Sequence, residues 1–223
     1  FARYSRGARA NADRILFSPI VNTTDGSLTN KSAAFDPVKQ AEVGVKYRQA
    51  GLTLNLTGFW AKAQDTNVDV VTSQIIQREY RATGLEFEGG VRRGPFALTA
   101  GATYTDAEIT RDAVNPAVVG NTPRHQAKLI FQATPQVSTD RFSIGAVFIG
   151  TTGSYSQDTN ILRTPGFVTT NAFAQWRVAE RLMLGINANN LFDTLAITTF
   201  DEAAIPASGI LRARPLNGRT VSA

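Results

Sequence analysis

Leu52-Thr53-Leu54-Asn55-Leu56-Thr57-Gly58-Phe59-Trp60 is the stretch that decides the fold. Leu52, Leu54, Leu56, Gly58 and Trp60 occupy every second position, and Thr53, Asn55 and Thr57 fill the places between them. A period of two belongs to a β-strand, whose side chains alternate between the faces of a sheet. A strand of this length suits a bilayer, which a tilted strand crosses in about 9–11 residues. Strands in water-soluble proteins average nearer 5–6.

The same alternation recurs on both sides of this run. Upstream, Ala41, Val43, Val45 and Tyr47 oppose Gln40, Glu42, Lys46 and Arg48. Downstream, Leu85, Phe87, Gly89 and Val91 oppose Gly84, Glu86 and Glu88, and Phe96, Leu98, Ala100, Ala102 and Tyr104 oppose Thr99, Gly101, Thr103 and Thr105. Ala127, Leu129 and Phe131 alternate with Lys128 and Gln132, with Ile130 out of pattern. Phe142, Ile144, Ala146 and Phe148 oppose Ser143 and Gly145. Ala172, Ala174, Trp176 and Val178 oppose Asn171, Gln175 and Arg177, and Leu182, Leu184, Ile186 and Ala188 oppose Gly185, Asn187 and Asn189. This predicts eight complete strands, a ninth in part at residues 1–5, and a tenth starting at Arg219 and cut off at Ala223.

Short turn signals fall at Gln49-Ala50-Gly51, Arg93-Gly94-Pro95, residues 135–140 and Ala179-Glu180-Arg181, a spacing of roughly 40–45 residues. Between them lie polar stretches at 7–37, 65–77, 106–123, 152–165 and 192–217. A propeller blade would need four short strands per repeat, whereas each repeat here supplies two long ones. The expected fold is therefore all-β: an antiparallel, up-and-down transmembrane barrel wall.

Composition agrees. The chain has 223 residues, 43% hydrophobic and 18% charged, with a mean hydropathy of −0.13. No apolar run approaches the roughly 18–20 residues of a spanning helix, but barrel strands turn only alternate residues to lipid. There are no cysteines, so disulfides, thiolate metal sites and Cys nucleophiles are excluded. The net charge of +5 is scattered, with Arg92-Arg93 the only adjacent basic pair, and no nucleic-acid partner is expected. Phe1 opens the chain without a signal segment, which leads to the expectation of a mature product or a fragment.

On this reading the lipid-facing residues are Leu52, Leu54, Leu56, Leu85, Phe87, Leu98, Ile144, Phe148, Leu184 and Ile186. Tyr47, Phe96, Phe142 and Trp176 beside the short turns, with Trp60 and Tyr104 near the long loops, form two aromatic girdles of the kind headgroups favour. The lumen side carries Glu42, Lys46, Glu86, Glu88, Lys128, Gln175, Arg177, Asn187 and Asn189. So many polar groups call for water or a polar filling. Short turns belong in the periplasm and long loops outside. Tyr155, Arg163, Arg212 and Arg214 are the ligand candidates on those loops.

Five segments in order resemble the C-terminal part of the β-barrel of TonB-dependent outer-membrane receptors. They are Phe1-Ala2-Arg3-Tyr4-Ser5-Arg6-Gly7, Phe35-Asp36-Pro37-Val38-Lys39-Gln40-Ala41-Glu42-Val43-Gly44, Ala82-Thr83-Gly84-Leu85-Glu86-Phe87-Glu88, Pro123-Arg124-His125-Gln126-Ala127 and Asn189-Asn190-Leu191-Phe192-Asp193. The resemblance implies that residues 1–223 supply about ten strands of a 22-stranded barrel in the bacterial outer membrane, with the plug and N-terminal strands absent and the last strand truncated. It implies import of a scarce nutrient such as a ferric siderophore, energised by TonB–ExbB–ExbD through the plug. The partners it implies are outer-membrane lipid and lipopolysaccharide, the plug with the remaining strands, and a small nutrient ligand. The alternatives are another outer-membrane barrel, a porin or secretion channel, or a soluble β-sandwich binding module in which Leu54, Leu56 and Leu98 pack against a second sheet.

Catalysis is not expected, nor is a cofactor or metal. His125 is the only histidine and reads as a rim residue at a strand start, with no second His or Cys to complete a site. Glu86 and Glu88 stand at i and i+2 and are expected to pair with cations such as Lys46 or Arg177. The loop acids Asp106, Glu108, Asp112, Asp201 and Glu202 match no calcium-loop spacing. The sequons Asn22-Thr23-Thr24 and Asn30-Lys31-Ser32 carry little weight in a bacterial protein.

Overall fold

The computed structural model describes residues 1–10, 22, 24–28, 34–68, 75–201 and 206–223. Thr23, the segment Asn30-Lys31-Ser32 and Glu202 lie outside the described residues. The strands in chain order are β1 (Ala2–Ala10), β2 (Phe35–Gln49), β3 (Leu52–Val68), β4 (Ile75–Arg93), β5 (Phe96–Asp112), β6 (Leu129–Ser138), β7 (Phe142–Thr151), β8 (Ser154–Tyr155), β9 (Arg163–Thr164), β10 (Phe167–Ala179), β11 (Leu182–Asn189), β12 (Ile197–Phe200), β13 (Ala213–Pro215) and β14 (Thr220–Ser222). Ten of them form one antiparallel sheet in the order β1-β2-β3-β4-β5-β6-β7-β10-β11-β14. Each strand of that sheet neighbours the next one in the chain, an up-and-down topology. β8–β9 and β12–β13 are separate two-stranded hairpins within two of the long connections.

The turns at one end are tight. Ala50-Gly51 joins β2 to β3 and Gly94-Pro95 joins β4 to β5. Gly51 (φ 78°) and Gly94 (φ 58°) take left-handed backbone angles, which cost glycine no steric penalty.

At the other end the strands outrun the sequence pattern. The 65–77 stretch, expected as a long loop, is mostly strand: β3 reaches Val68 and β4 begins at Ile75. β5 likewise continues to Asp112, into the expected 106–123 loop. Polar alternation in these stretches reads as loop. Cross-strand ion pairs instead hold it as sheet, among them Lys62–Glu79 at 2.5 Å and Arg81–Glu108 at 2.7 Å. Pro135, expected in a turn, lies inside β6 opposite Leu98, and the turn falls at 139–141. The ninth strand extends to Ala10 rather than Ser5.

Register places the alternation on two consistent faces. Val45, Leu56, Phe87, Ala102 and Phe131 form one continuous row across five strands. Ile144, Ala174 and Ile186 form another, and Phe142, Trp176 and Leu184 a third. The opposite face carries Lys46, Asn55, Glu88, Gly101 and Gln132 in a single row.

No second layer covers the apolar face among the described residues. Leu54, Leu56, Leu98 and Ile144 are 37%, 52%, 41% and 53% exposed. The few buried apolar side chains, among them Ile109, Val118, Ala127 and Leu162, gather instead at the long-loop end. A sandwich would have buried the leucine rows against a second sheet; that expectation is not met.

Candidate functional site

The polar face is the first half of the site. Thr53, Asn55, Glu86, Glu88, Thr99 and Gln132 line an open hollow of about 650 Å³ on it. Asn55 Nδ2 donates to Glu88 Oε2 at 3.3 Å, and Gln40 Nε2 donates to Glu42 at 2.5 Å. The expected pairing of Glu86 and Glu88 with Lys46 or Arg177 is not seen among the described residues. Lys46 Nζ instead lies 5.1 Å from the centre of the Phe1 ring, a cation–π arrangement. Gln175 stands opposite Gly185, and Asn187 opposite Phe173. Asn189 Nδ2 donates to Thr220 Oγ1 at 3.3 Å. Lys128 precedes the first residue of β6, and its ammonium lies 3.3 Å from Asp106.

The apolar residues on the polar face have local causes. A Cβ on Gly84 would collide with the Phe59 ring and the Tyr104 carbonyl, and one on Gly145 would meet the Phe173 ring. Each phenyl ring covers the bare glycine directly opposite it, a known way of patching glycine in a sheet.

The second half is the cap built by the long connections. Arg78 of β4 is its hub. Its Nε donates to Asp112 Oδ2 at 2.7 Å and its Nη1 to Asp158 Oδ2 at 2.6 Å. Asp112 Oδ1 also accepts the backbone N–H groups of Val114 and Asn115, both at 2.9 Å. Asp112 sits at the loop end of β5, eight positions past Tyr104. Burial would push its carboxyl pKa up, but the two N–H donors and the Arg78 guanidinium outweigh it and hold the carboxyl below its ordinary value. Asp158 Oδ1 accepts the Arg124 N–H at 2.8 Å, and Asn160 exchanges two hydrogen bonds with the Thr122 backbone. One arginine thereby ties the β5–β6 connection to the β7–β10 connection.

His125 belongs to this cap and not to a strand start. It lies in a left-handed turn (φ 61°), and its backbone N–H donates to the Tyr155 carbonyl at 2.7 Å. Tyr155 and Arg163 stand opposite each other in the β8–β9 hairpin. Arg212 and Arg214 flank Ala213, the first residue of β13, and Arg214 Nε contacts Asp201 at 2.6 Å. β9 and β12 are neighbours, so the four ligand candidates share one end of the molecule.

The Asn190-Leu191-Phe192-Asp193 segment closes the last strand pair. The buried Asn190 donates to the carbonyls of Thr194 and Asn217 and accepts from the Thr194 N–H. Asp193 accepts the Arg219 N–H at 2.8 Å. Sequence reasoning missed Arg78 and Asp158 altogether, because their contacts span 34 and 80 residues and leave no local signal. No cluster of metal-ligating side chains occurs among the described residues.

Comparison with known proteins places these features in context. The family model described as TonB dependent receptor-like, beta-barrel, matches residues 1–191. The probable TonB-dependent siderophore receptor PiuA of Acinetobacter baumannii is 26% identical over 171 residues, covering 68% of this chain and 22% of its own length. Among solved structures, the ferric-catecholate import receptor Fiu of E. coli K12 superposes with a TM-score of 0.76 at 18% identity, over 99% of this chain and 31% of that one. The ferric yersiniabactin uptake receptor FyuA of Yersinia pestis gives 0.74 at 20% identity, over 99% and 33%. The chain thus spans a third or less of the length of these relatives.

Proposed function

The chain belongs to the TonB-dependent receptor β-barrel family, and on that premise we propose that its sheet is part of an outer-membrane barrel wall that binds and imports a scarce nutrient such as a ferric siderophore. The apolar face meets lipid, and the polar face lines a lumen occupied by water and a plug. The short turns look into the periplasm and the capped connections look outward, as in other such barrels. Import draws energy from TonB–ExbB–ExbD through the plug of the whole receptor.

The observation that carries this reading is the uncovered apolar face. Rows of Leu, Ile, Val and Phe across ten strands far exceed the apolar patch of a few hundred Å² that a soluble monomer exposes. The nine residues from Phe96 to Tyr104 match the length of a strand within hydrocarbon. Beyond Trp60 and Tyr104 the same face turns to Lys62, Arg81 and Glu108. The porin and secretion-channel alternative finds no support in the family match. In the loops, Tyr155, Arg163, Arg212 and Arg214 offer aromatic and cationic groups suited to an anionic iron chelate.

Leu56→Arg in the whole receptor tests the reading. Leu56 lies midway between Leu52 and Trp60, where a lipid-facing cation costs about 2–4 kcal/mol. Assembly into the outer membrane, followed by heat-dependent gel mobility, should weaken by that amount, while Asn55→Arg on the polar face should be tolerated. Equal tolerance of both would contradict the reading.

A further inference from the structure

Each of the four short-turn hairpins brings one arginine to the polar face beside its turn. Arg48 of β2 begins a row that continues through Thr53, Gly90 and Thr99. Arg92 of β4 stands two positions past Gly90, opposite Ala97, and its backbone N–H donates to the Gly51 carbonyl of the first turn at 2.7 Å. Arg177 of β10 stands opposite Met183, two positions past Gln175. The β7–β10 register pairs Gln175 with Ser143 and Trp176 with Phe142. The Arg177 N–H donates to the Arg141 carbonyl at 2.7 Å, which continues that register and sets Arg141 opposite Arg177.

Directly opposed like charges destabilise a sheet, so this arrangement calls for a counter-charge. All four residues are exposed. None has an acidic partner among the described residues, whose ion pairs gather at the long-loop end. The only acids in residues 47–53, 90–97, 137–143 and 176–183 are Asp140 and Glu180, and no lysine occurs there. Exclusive use of arginine points to planar anions, because the guanidinium fork matches a carboxylate with two parallel hydrogen bonds. Lipid headgroups are on the wrong side: Tyr47, Phe142 and Trp176 stand next to Arg48, Arg141 and Arg177 in the chain and therefore on the apolar face.

Spacing narrows the occupant further. From β2 to β10 the sheet makes six strand-to-strand steps, about 29 Å at the usual separation. A small anion reaches one neighbouring pair at most, whereas an extended peptide of about nine residues covers the whole span. Between Arg48 and Arg92 the wall is low, with Gly90 and Ala97, and these residues border a hollow of about 590 Å³.

We propose that Arg48, Arg92, Arg141 and Arg177 form an inward-facing rim at the short-turn mouth of the lumen, and that it docks an extended, carboxylate-rich peptide segment of a separate periplasmic protein. The inference rests on the reading of the short turns as periplasmic. The segment's carboxylates supply the counter-charge that the chain itself does not.

The test uses the whole receptor, plug included, extracted from outer membranes in detergent. It is titrated at pH 7 with a peptide of about nine residues alternating Glu and Thr, with its Gln-for-Glu counterpart, and with free glutamate. The Glu peptide should bind about tenfold or more tightly than the Gln peptide, and R48Q/R177Q should lose that preference. R81Q/R93Q removes the same charge from the apolar face and should keep it. A photoreactive group at the centre of the Glu peptide should label the unsubstituted receptor at the short turns, a readout that needs no variant to fold. Equal binding of the two peptides would overturn the proposal, because the arginines would then be occupied within the receptor, by its own plug for instance. Equal loss in both double variants, labelling confined to the long connections, or displacement of the peptide by equimolar glutamate would overturn it too. An assembled receptor that fails in any of these ways sinks this inference alone. A receptor that never partitions into the outer membrane sinks the underlying wall reading.

Discussion

At Gly84 a side chain has nowhere to go. The Phe59 ring and the Tyr104 carbonyl, from the strands on either side, occupy the place a Cβ would take. The sequence Gly84-Leu85-Glu86 is recognisable as a motif, but the reason for its glycine lies in two other strands. Asp112 is a similar case. It was visible as a loop acid, while its partner Arg78, and Asp158 on the same guanidinium, were not. Its depressed carboxyl pKa sets an acid limit on the cap. A lowered folded-state pKa contributes stability that is complete above the ordinary carboxylate value of about 3.9 and is lost as pH falls through the folded value. Protection of the 113–128 amides, corrected for intrinsic exchange, should therefore match between pH 7 and pH 5 and collapse only below about pH 4. Collapse already at pH 5 would contradict this assignment.

At the scale of elements, alternation made the spanning part of each strand legible, because lipid and lumen select opposite chemistry at successive positions. It failed where neither solvent selects. Beyond Trp60 and Tyr104 the strands carry charge, and ion pairs such as Lys62–Glu79 rather than hydrophobic phase hold the sheet together. Pro135 misled for another reason: it reads as a breaker, yet it fits β6 without a visible break in the ladder to β5. The β8–β9 and β12–β13 hairpins are too short to give a periodic signal. The two connections on either side of β6 and β7 depend on Arg78. Arg78→Ala should loosen both together by about 1–3 kcal/mol, since it strands the buried Asp112. Hydrogen exchange would then rise in 113–128 and 152–166 alike, and a rise confined to one would show that they are not coupled through this arginine.

At the scale of the whole molecule, one division organises everything: an apolar face that none of the described residues covers and a polar face around a hollow. That division was legible in the sequence alone, and the register keeps to it: Leu56 lies in one row with Phe87, Ala102 and Phe131, and Phe148 stands opposite Ala133. The cap's interior was not, since Ile109, Val118 and Leu162 meet only once the loops have folded. The alignment of Arg6, Lys39, Lys62 and Arg81 across four neighbouring strands was likewise hidden, because it exists only in the register between them. Spin labels placed singly from position 52 to 60 in the whole receptor, reconstituted in lipid, test the division most directly. At 52, 54, 56 and 58 collisions with dissolved oxygen should dominate, deepest near 56, while labels at 53, 55 and 57 should be shielded from the lipid and meet a water-soluble relaxant instead. Oxygen accessibility without a two-residue period, or even-numbered labels closed to both reagents as in a dry protein core, would contradict the account.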